Sequence, residues 1–323
     1  MKTRRLGKSG LEVTEVGLGC WQLGGDFGPI EDDRARAVLD AARQNGISFY
    51  DTADVYGDGR SEKLVGQHVR LGELVATKVG RSPDLYPDGY SFDRVRDHLI
   101  ASTERIGVEQ LDLVQLHCVP PELLARGEVF DWMDRLQDEG LCRAWGASVE
   151  TLEEAKICLK QPGLTSLQII FNLFRQDAAS ELFAKAKEAD VGIIVRLPLA
   201  SGMLSGKFSR DTTFDETDHR NFNRDGEAFS VGETFSGIPF ETGLDLVDAL
   251  SAHKPDGWDM AQFALRWILD FDAVSTVIAG ASKPEQVRSN AEAANLPPLP
   301  ESLHADLARF YGERVRDTIK VPI

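Results

Sequence analysis

The sequence predicts an α/β protein, a (β/α)8 TIM barrel forming a single domain over residues 1–323 with an extra C-terminal helix. Two observations carry this expectation: eight short β-rich runs each lead into material with helical spacing, and no Pro/Ser/Gly-rich linker divides the chain. Several of the runs are almost wholly apolar, as expected of strands covered on both faces. A doubly wound open sheet is built from the same units, but the strand count and the missing linker favour closure.

The first strand is expected at residues 15–19, followed by a glycine-rich loop and a helix at 32–45. The second, 47–50, precedes a helix at 62–69, and the third, 74–78, a helix at 93–106. A fourth strand at 111–116 leads to a helix at 129–139, where Val129, Met133 and Leu136 recur at helical spacing. The fifth and sixth, 142–147 and 166–171, feed helices at 152–159 and 179–189. After the seventh, 192–196, residues 205–243 are rich in Gly, Asp, Phe and Asn without periodicity, so they read as a long functional loop before helices at 244–252 and 260–269. The eighth strand is 275–278, and Pro284 then fits the first turn of a helix. Pro297-Pro298-Leu299-Pro300 stops that helix, and 302–315 reads as a last one that flanks or plugs the barrel.

Composition narrows the function. With 36 Lys+Arg against 52 Asp+Glu the net charge is -16, which argues against a nucleic-acid binder and against docking on an anionic membrane. No apolar h-region follows the basic start and no long apolar run occurs, so a cytoplasmic protein is the default expectation. The four cysteines form no CxxC pair, and the histidines show neither HxH nor HExxH spacing, so no metal site is expected.

The chemistry concentrates at strand ends. The second strand runs into Phe49-Tyr50-Asp51-Thr52-Ala53-Asp54-Val55-Tyr56-Gly57-Asp58-Gly59-Arg60-Ser61-Glu62, the third ends Ala76-Thr77-Lys78, and the fourth ends Gln115-Leu116-His117. Singly, Asp51 reads equally as a helix cap and Tyr56 as a loop aromatic. Titratable residues at the C-terminal ends of consecutive barrel strands, however, point into one face, so Asp51, Tyr56, Lys78 and His117 are expected to converge.

With those residues the chain resembles the aldo-keto reductase family over nearly its full length. The resemblance implies carbonyl reduction, with Tyr56 as acid, Lys78 lowering the phenol's pKa, Asp51 pairing with the lysine, and His117 donating a hydrogen bond to the substrate oxygen. It also implies a nicotinamide dinucleotide held without a Rossmann domain, and residues 17–25, which lack the third fingerprint glycine, fit that. Ser148 and Gln168 match carboxamide-binding positions, Pro198, Leu199, Ser201, Gly202 and Lys207 would cradle the pyrophosphate, and Gly280, Ser282, Lys283, Gln286 and Asn290 would hold the adenosine phosphate and adenine. Two departures stand out: Val149 replaces a common Asn, and Arg196 replaces a stacking Tyr, so the guanidinium is expected to stack on the nicotinamide.

A basic residue at the phosphate end and no ribose-binding acid suggest NADPH (NADP+) over NADH, with NADH possible. Trp21 is a candidate substrate wall, and the substrate is expected to be a small carbonyl compound or sugar. The competing function is a regulatory subunit resembling the family's potassium-channel β subunits. Oligomeric state is not legible in this sequence.

Overall fold

The computed structural model describes residues 1–323. Its strands are β1 (Thr3–Arg5), β2 (Glu12–Thr14), β3 (Val16–Gly19), β4 (Phe49–Asp51), β5 (Leu74–Val79), β6 (Leu111–His117), β7 (Cys142–Ser148), β8 (Ser166–Ile170), β9 (Gly192–Arg196) and β10 (Val274–Gly280). β3 to β10 close into a barrel, β10 pairing with both β3 and β9, and every barrel pair is parallel. These are the eight expected strands, with ends shifted by a few residues. Helices cover the outside, and the apolar layer between them and the strands is built from such buried residues as Leu39, Leu99, Met133, Trp145, Phe171 and Trp267. No helix is long and apolar enough to cross a membrane.

The antiparallel hairpin β1–β2 was not legible in the sequence, and it closes the barrel's bottom. Its Leu6, Leu11 and Val13 pack with Phe49, Ala76, Leu113, Ala144, Ile194 and Ile278, which point inward from the strands. Gly7 sits so close to the lower rim that a Cβ would lie 2.6 Å from the carbonyl oxygens of Asp190 and Thr165. Arg4 fixes the hairpin from outside, donating to Glu15 at 2.7 Å and to the carbonyls of Leu269 and Val274 at 2.8 and 2.7 Å.

The plug is thus the hairpin, and the C-terminal helix flanks the barrel. That helix, Glu301–Phe310, is anchored by Leu307 and Phe310, and the tail beyond it braces the upper loops through Lys320 N to Gly237 O at 2.9 Å. The long loop between β9 and the next helix holds short helical turns, His219–Phe222, Val231–Glu233 and Phe235–Gly237. Its aromatic side chains Phe208, Phe214, Phe235 and Phe240 pack against one another, Phe214 edge-on to Phe208 and Phe240, which explains a Phe-rich segment without periodicity. The following helix starts at Phe240, just after Pro239, rather than at residue 244.

Candidate active site

The upper face holds a cavity of about 880 Å³, lined at one end by Trp21, Asp51, Tyr56 and His117 and at the other by Ser282, Lys283, Gln286 and Asn290. Asp51 ends β4 and Lys78 lies near the end of β5, so neighbouring parallel strands present them side by side. The Lys78 ammonium bonds Asp51 Oδ1 and donates to Thr52 O at 2.8 Å and to Tyr56 Oη at 3.2 Å. Both charges are sealed from water, with side-chain exposures of 1% for Lys78 and 2% for Asp51. Burial pushes the lysine's pKa down, but Asp51 and then Tyr56 more than offset it, so the ammonium form is retained.

Tyr56 behaves differently from the sequence expectation. Burial raises its pKa to about 12, and Lys78, pulling the other way, does not overcome it. The phenol is therefore protonated at neutral pH, the state a proton donor needs. His117, at the end of β6, is shifted well below its ordinary value by burial and by the cations Arg81, Lys78 and Arg196. A neutral imidazole offers one donor and one acceptor nitrogen. Its ring meets Tyr56 edge-on at 5.9 Å, and Trp21 stacks on the other side of the tyrosine at 5.9 Å.

Asp51 is held further by Gln115 and Gln168, whose amides donate to Oδ2 at 2.9 and 2.8 Å. Ser148 donates to Gln168 Oε1 at 3.3 Å. Ser148 and Gln168 border the cavity as expected, while Gln115 is a member of the site that the sequence reading passed over. Its signal was present: it stands two residues before His117 on one strand and so faces the barrel interior with it.

Arg196 lines the cavity but is not a free cation over a ring. Its guanidinium donates to Glu233 at 2.5 Å and to Val149 O at 3.1 Å. Glu233 also accepts from Arg81 at 2.8 Å, and Arg81 pairs with Glu150 as well. The sequence did not show this counter-ion: Glu233, delivered by the long loop, neutralises the arginine. Cys118, Glu150 and Glu233 come close enough to suggest a metal-binding group, but Arg81 and Arg196 already lie among them as the compensating cations.

Pro198, Leu199, Ser201, Gly202, Lys207 and Gly280 also border the cavity. The side chain of Gln22 covers Gly280, where any Cβ would collide with it. At the helix Pro284–Glu292, Gln286 turns back so that its Oε1 accepts from Ser282 N at 2.8 Å and Lys283 N at 3.1 Å. Gln286 therefore caps its own helix through Oε1, and it lines the cavity together with Asn290.

The Aldo/keto reductase family matches residues 15–311. The chain belongs to the aldo/keto reductase family. It is 31% identical over 308 residues to the uncharacterized oxidoreductase YqkF of Bacillus subtilis (strain 168), covering 93% of this chain and 94% of that one. A probable voltage-gated potassium channel subunit beta of Arabidopsis thaliana is 27% identical over 327 residues, covering 93% of each chain. The glycerol dehydrogenase AKR11B4 from Gluconobacter oxydans superposes with a TM-score of 0.79 at 27% identity, covering 100% of this chain and 98% of that one. This aldo/keto reductase is thus an NAD(P)H-dependent oxidoreductase.

Two ion pairs that share one histidine brace the loop that carries Tyr56 in this aldo/keto reductase. His98 sits between Asp54, 3.2 Å from Nδ1, and Asp84, 3.0 Å from Nε2. The facing Asp54 carboxylate is the main cause that raises its pKa to about 9, and Asp84 adds to it against partial burial. Because the folded value lies above the unfolded one, the stabilisation is complete below the ordinary histidine range and is lost as pH rises through about 9. Melting temperatures of wild type and His98→Gln should therefore differ at pH 6 and converge toward pH 10. A gap that does not depend on pH would show that His98 acts only by packing.

Proposed function

We propose that this aldo/keto reductase reduces an aldehyde or ketone to an alcohol with NADPH, and that Tyr56 delivers the proton. The observation that carries the reading is a protonated phenol at the cavity wall, held 3.2 Å from a buried ammonium and beside a neutral histidine. The cavity suits an elongated dinucleotide by its donor set, with Lys207, Ser282 and Lys283 at the end remote from Tyr56 and the polar atoms Gln22 Oε1 and Arg196 Nε buried without partners along its wall. When bound, the dinucleotide supplies the hydride.

Ser148 and Gln168 are assigned to the carboxamide, Arg196 to the nicotinamide ring, Pro198, Leu199, Ser201, Gly202 and Lys207 to the pyrophosphate, and Gly280, Ser282, Lys283, Gln286 and Asn290 to the adenosine end. His117 holds the substrate oxygen next to Tyr56, so the developing alkoxide meets a donor on either side. As the phenol gives up its proton, the phenolate that remains is stabilised by the Lys78 ammonium, which the Asp51 carboxylate keeps charged and in place. Burial keeps bulk water from competing for those hydrogen bonds.

The test follows NADPH absorbance with neutral aldehydes, ketones and sugars. Turnover is expected; cofactor binding with no turnover on any of them would favour a regulatory subunit, and the Arabidopsis thaliana relative is named a probable voltage-gated potassium channel subunit beta. Lys283→Met should raise KM for NADPH about tenfold and leave KM for NADH little changed, since one charge-assisted bond to a phosphate is lost. Equal losses with both cofactors would remove Lys283 from the phosphate site.

A further inference from the structure

The wall of the cavity beside His117 carries four ionised side chains in alternation. Glu150 pairs with Arg81, Arg81 with Glu233 at 2.8 Å, and Glu233 with Arg196 at 2.5 Å, and all four border the cavity. Two guanidinium groups therefore meet two carboxyl groups; burial and then Glu233 push the Glu150 pKa up, and Arg81, paired with it, opposes them and favours its carboxylate. The Asp51–Lys78 pair beneath is likewise balanced, and His117 is neutral. Glu233 is held well down, at about 2, chiefly by Arg81 and Arg196 against its burial, so it is ionised at neutral pH. The reaction end of the cavity has no cation left without a carboxylate.

We infer that this zwitterionic wall selects an uncharged, hydroxyl-bearing carbonyl substrate, with Glu150 and Arg81 as its specificity-determining residues. Of the four, these two are the more accessible, with side-chain exposures of 27% and 19% against 4% for Glu233 and 9% for Arg196. A hydroxyl can donate to Glu150 and accept from Arg81 without disturbing the charge balance. A carboxylate or phosphate on the substrate would instead enter beside two existing anions and would have to displace one of them from its arginine. Trp21, Phe27, Tyr86 and Phe229 border the same cavity and offer faces for the C–H side of a polyol. The long loop acquires a definite task here, since it supplies Glu233 and is pinned to the rim by Ser201 Oγ donating to Glu233 O at 2.8 Å.

The inference rests on the carbonyl-reductase reading, and the experiment separates the two. We compare kcat/KM for glyceraldehyde, propanal and glyceraldehyde 3-phosphate in wild type, Glu150→Gln and Arg81→Gln. Wild type should prefer glyceraldehyde at least about tenfold over both others, because a site built to pair substrate hydroxyls discriminates strongly. Glu150→Gln leaves the wall with one excess cation and should move the phosphate-to-neutral ratio up about tenfold. Arg81→Gln should move it down. If one variant does not fold, the other still decides by the direction of its ratio. A wild type that favours the phosphate or propanal, or a ratio that stays fixed or moves against the sign of the substitution, overturns the inference. No reduction of any aldehyde by the wild type overturns the underlying reading, and the inference with it.

Discussion

Tyr56→Phe is expected to lower kcat by about 10²–10⁴-fold, the range that a positioned general acid contributes. Affinity for NADPH should remain close to wild type. The ring is kept, so its stacking on Trp21 and its edge contact with His117, both at 5.9 Å, persist. What disappears is the only proton donor tied to the lysine, a phenol that burial holds protonated with a pKa of about 12. The opposing influences set the chemistry. Lys78 alone would drag the phenol toward ionisation, and burial alone would make the phenolate inaccessible. Their combination leaves an acid that is fully protonated at rest and whose conjugate base already has a partner. Steady-state NADPH consumption together with the cofactor Kd separates the effects. Near-normal kcat at unchanged Kd would take the acid role away from Tyr56.

The fold was legible because the barrel strands are apolar runs whose burial on both faces leaves a clear pattern, and because the strand-end residues Asp51, Lys78 and His117 follow those runs directly. The hairpin at the bottom was not, since three-residue strands such as Thr3-Arg4-Arg5 have too few positions to show alternation. In the site, Gln115 was readable in principle as a polar residue on the interior face of an apolar strand. Glu233 was not. Its partner Arg81 lies 152 residues away, and it sits in a loop whose path is set by aromatic packing rather than by a repeat. The pairing of Arg196 with Glu233 was hidden for that reason. A cation was visible in the sequence at the end of a strand, but its counter-ion arrives from a segment with no pattern to place it.

Arg105→Met is expected to destabilise the protein by about 3–5 kcal/mol, the cost of breaking a buried ion pair on one side. Glu62 is wholly buried and accepts from Arg105 Nε at 2.5 Å and from the Thr77 hydroxyl. Removing the guanidinium strands a carboxylate that Thr77 alone does not compensate. Arg309→Met provides the contrast. Its partner Asp306 is 45% exposed and its own side chain 63% exposed, so that loss should stay under about 1 kcal/mol. Equal losses in urea unfolding would mean that burial of Glu62 carries no penalty. Adding Glu62→Gln to Arg105→Met should recover part of the loss, because a neutral amide can still bond Thr77 and no charge remains unpaired. The pair also bears on catalysis. The Arg105 stem lies across Gly59, where a Cβ would stand 2.5 Å from its Cδ, and on the other side Gly57 abuts Gly24. The loop carrying Tyr56 is thus wedged between two neighbours. Loosening one of them should reduce kcat by far less than Tyr56→Phe does, since the Lys78 hydrogen bond that orients the phenol is still made.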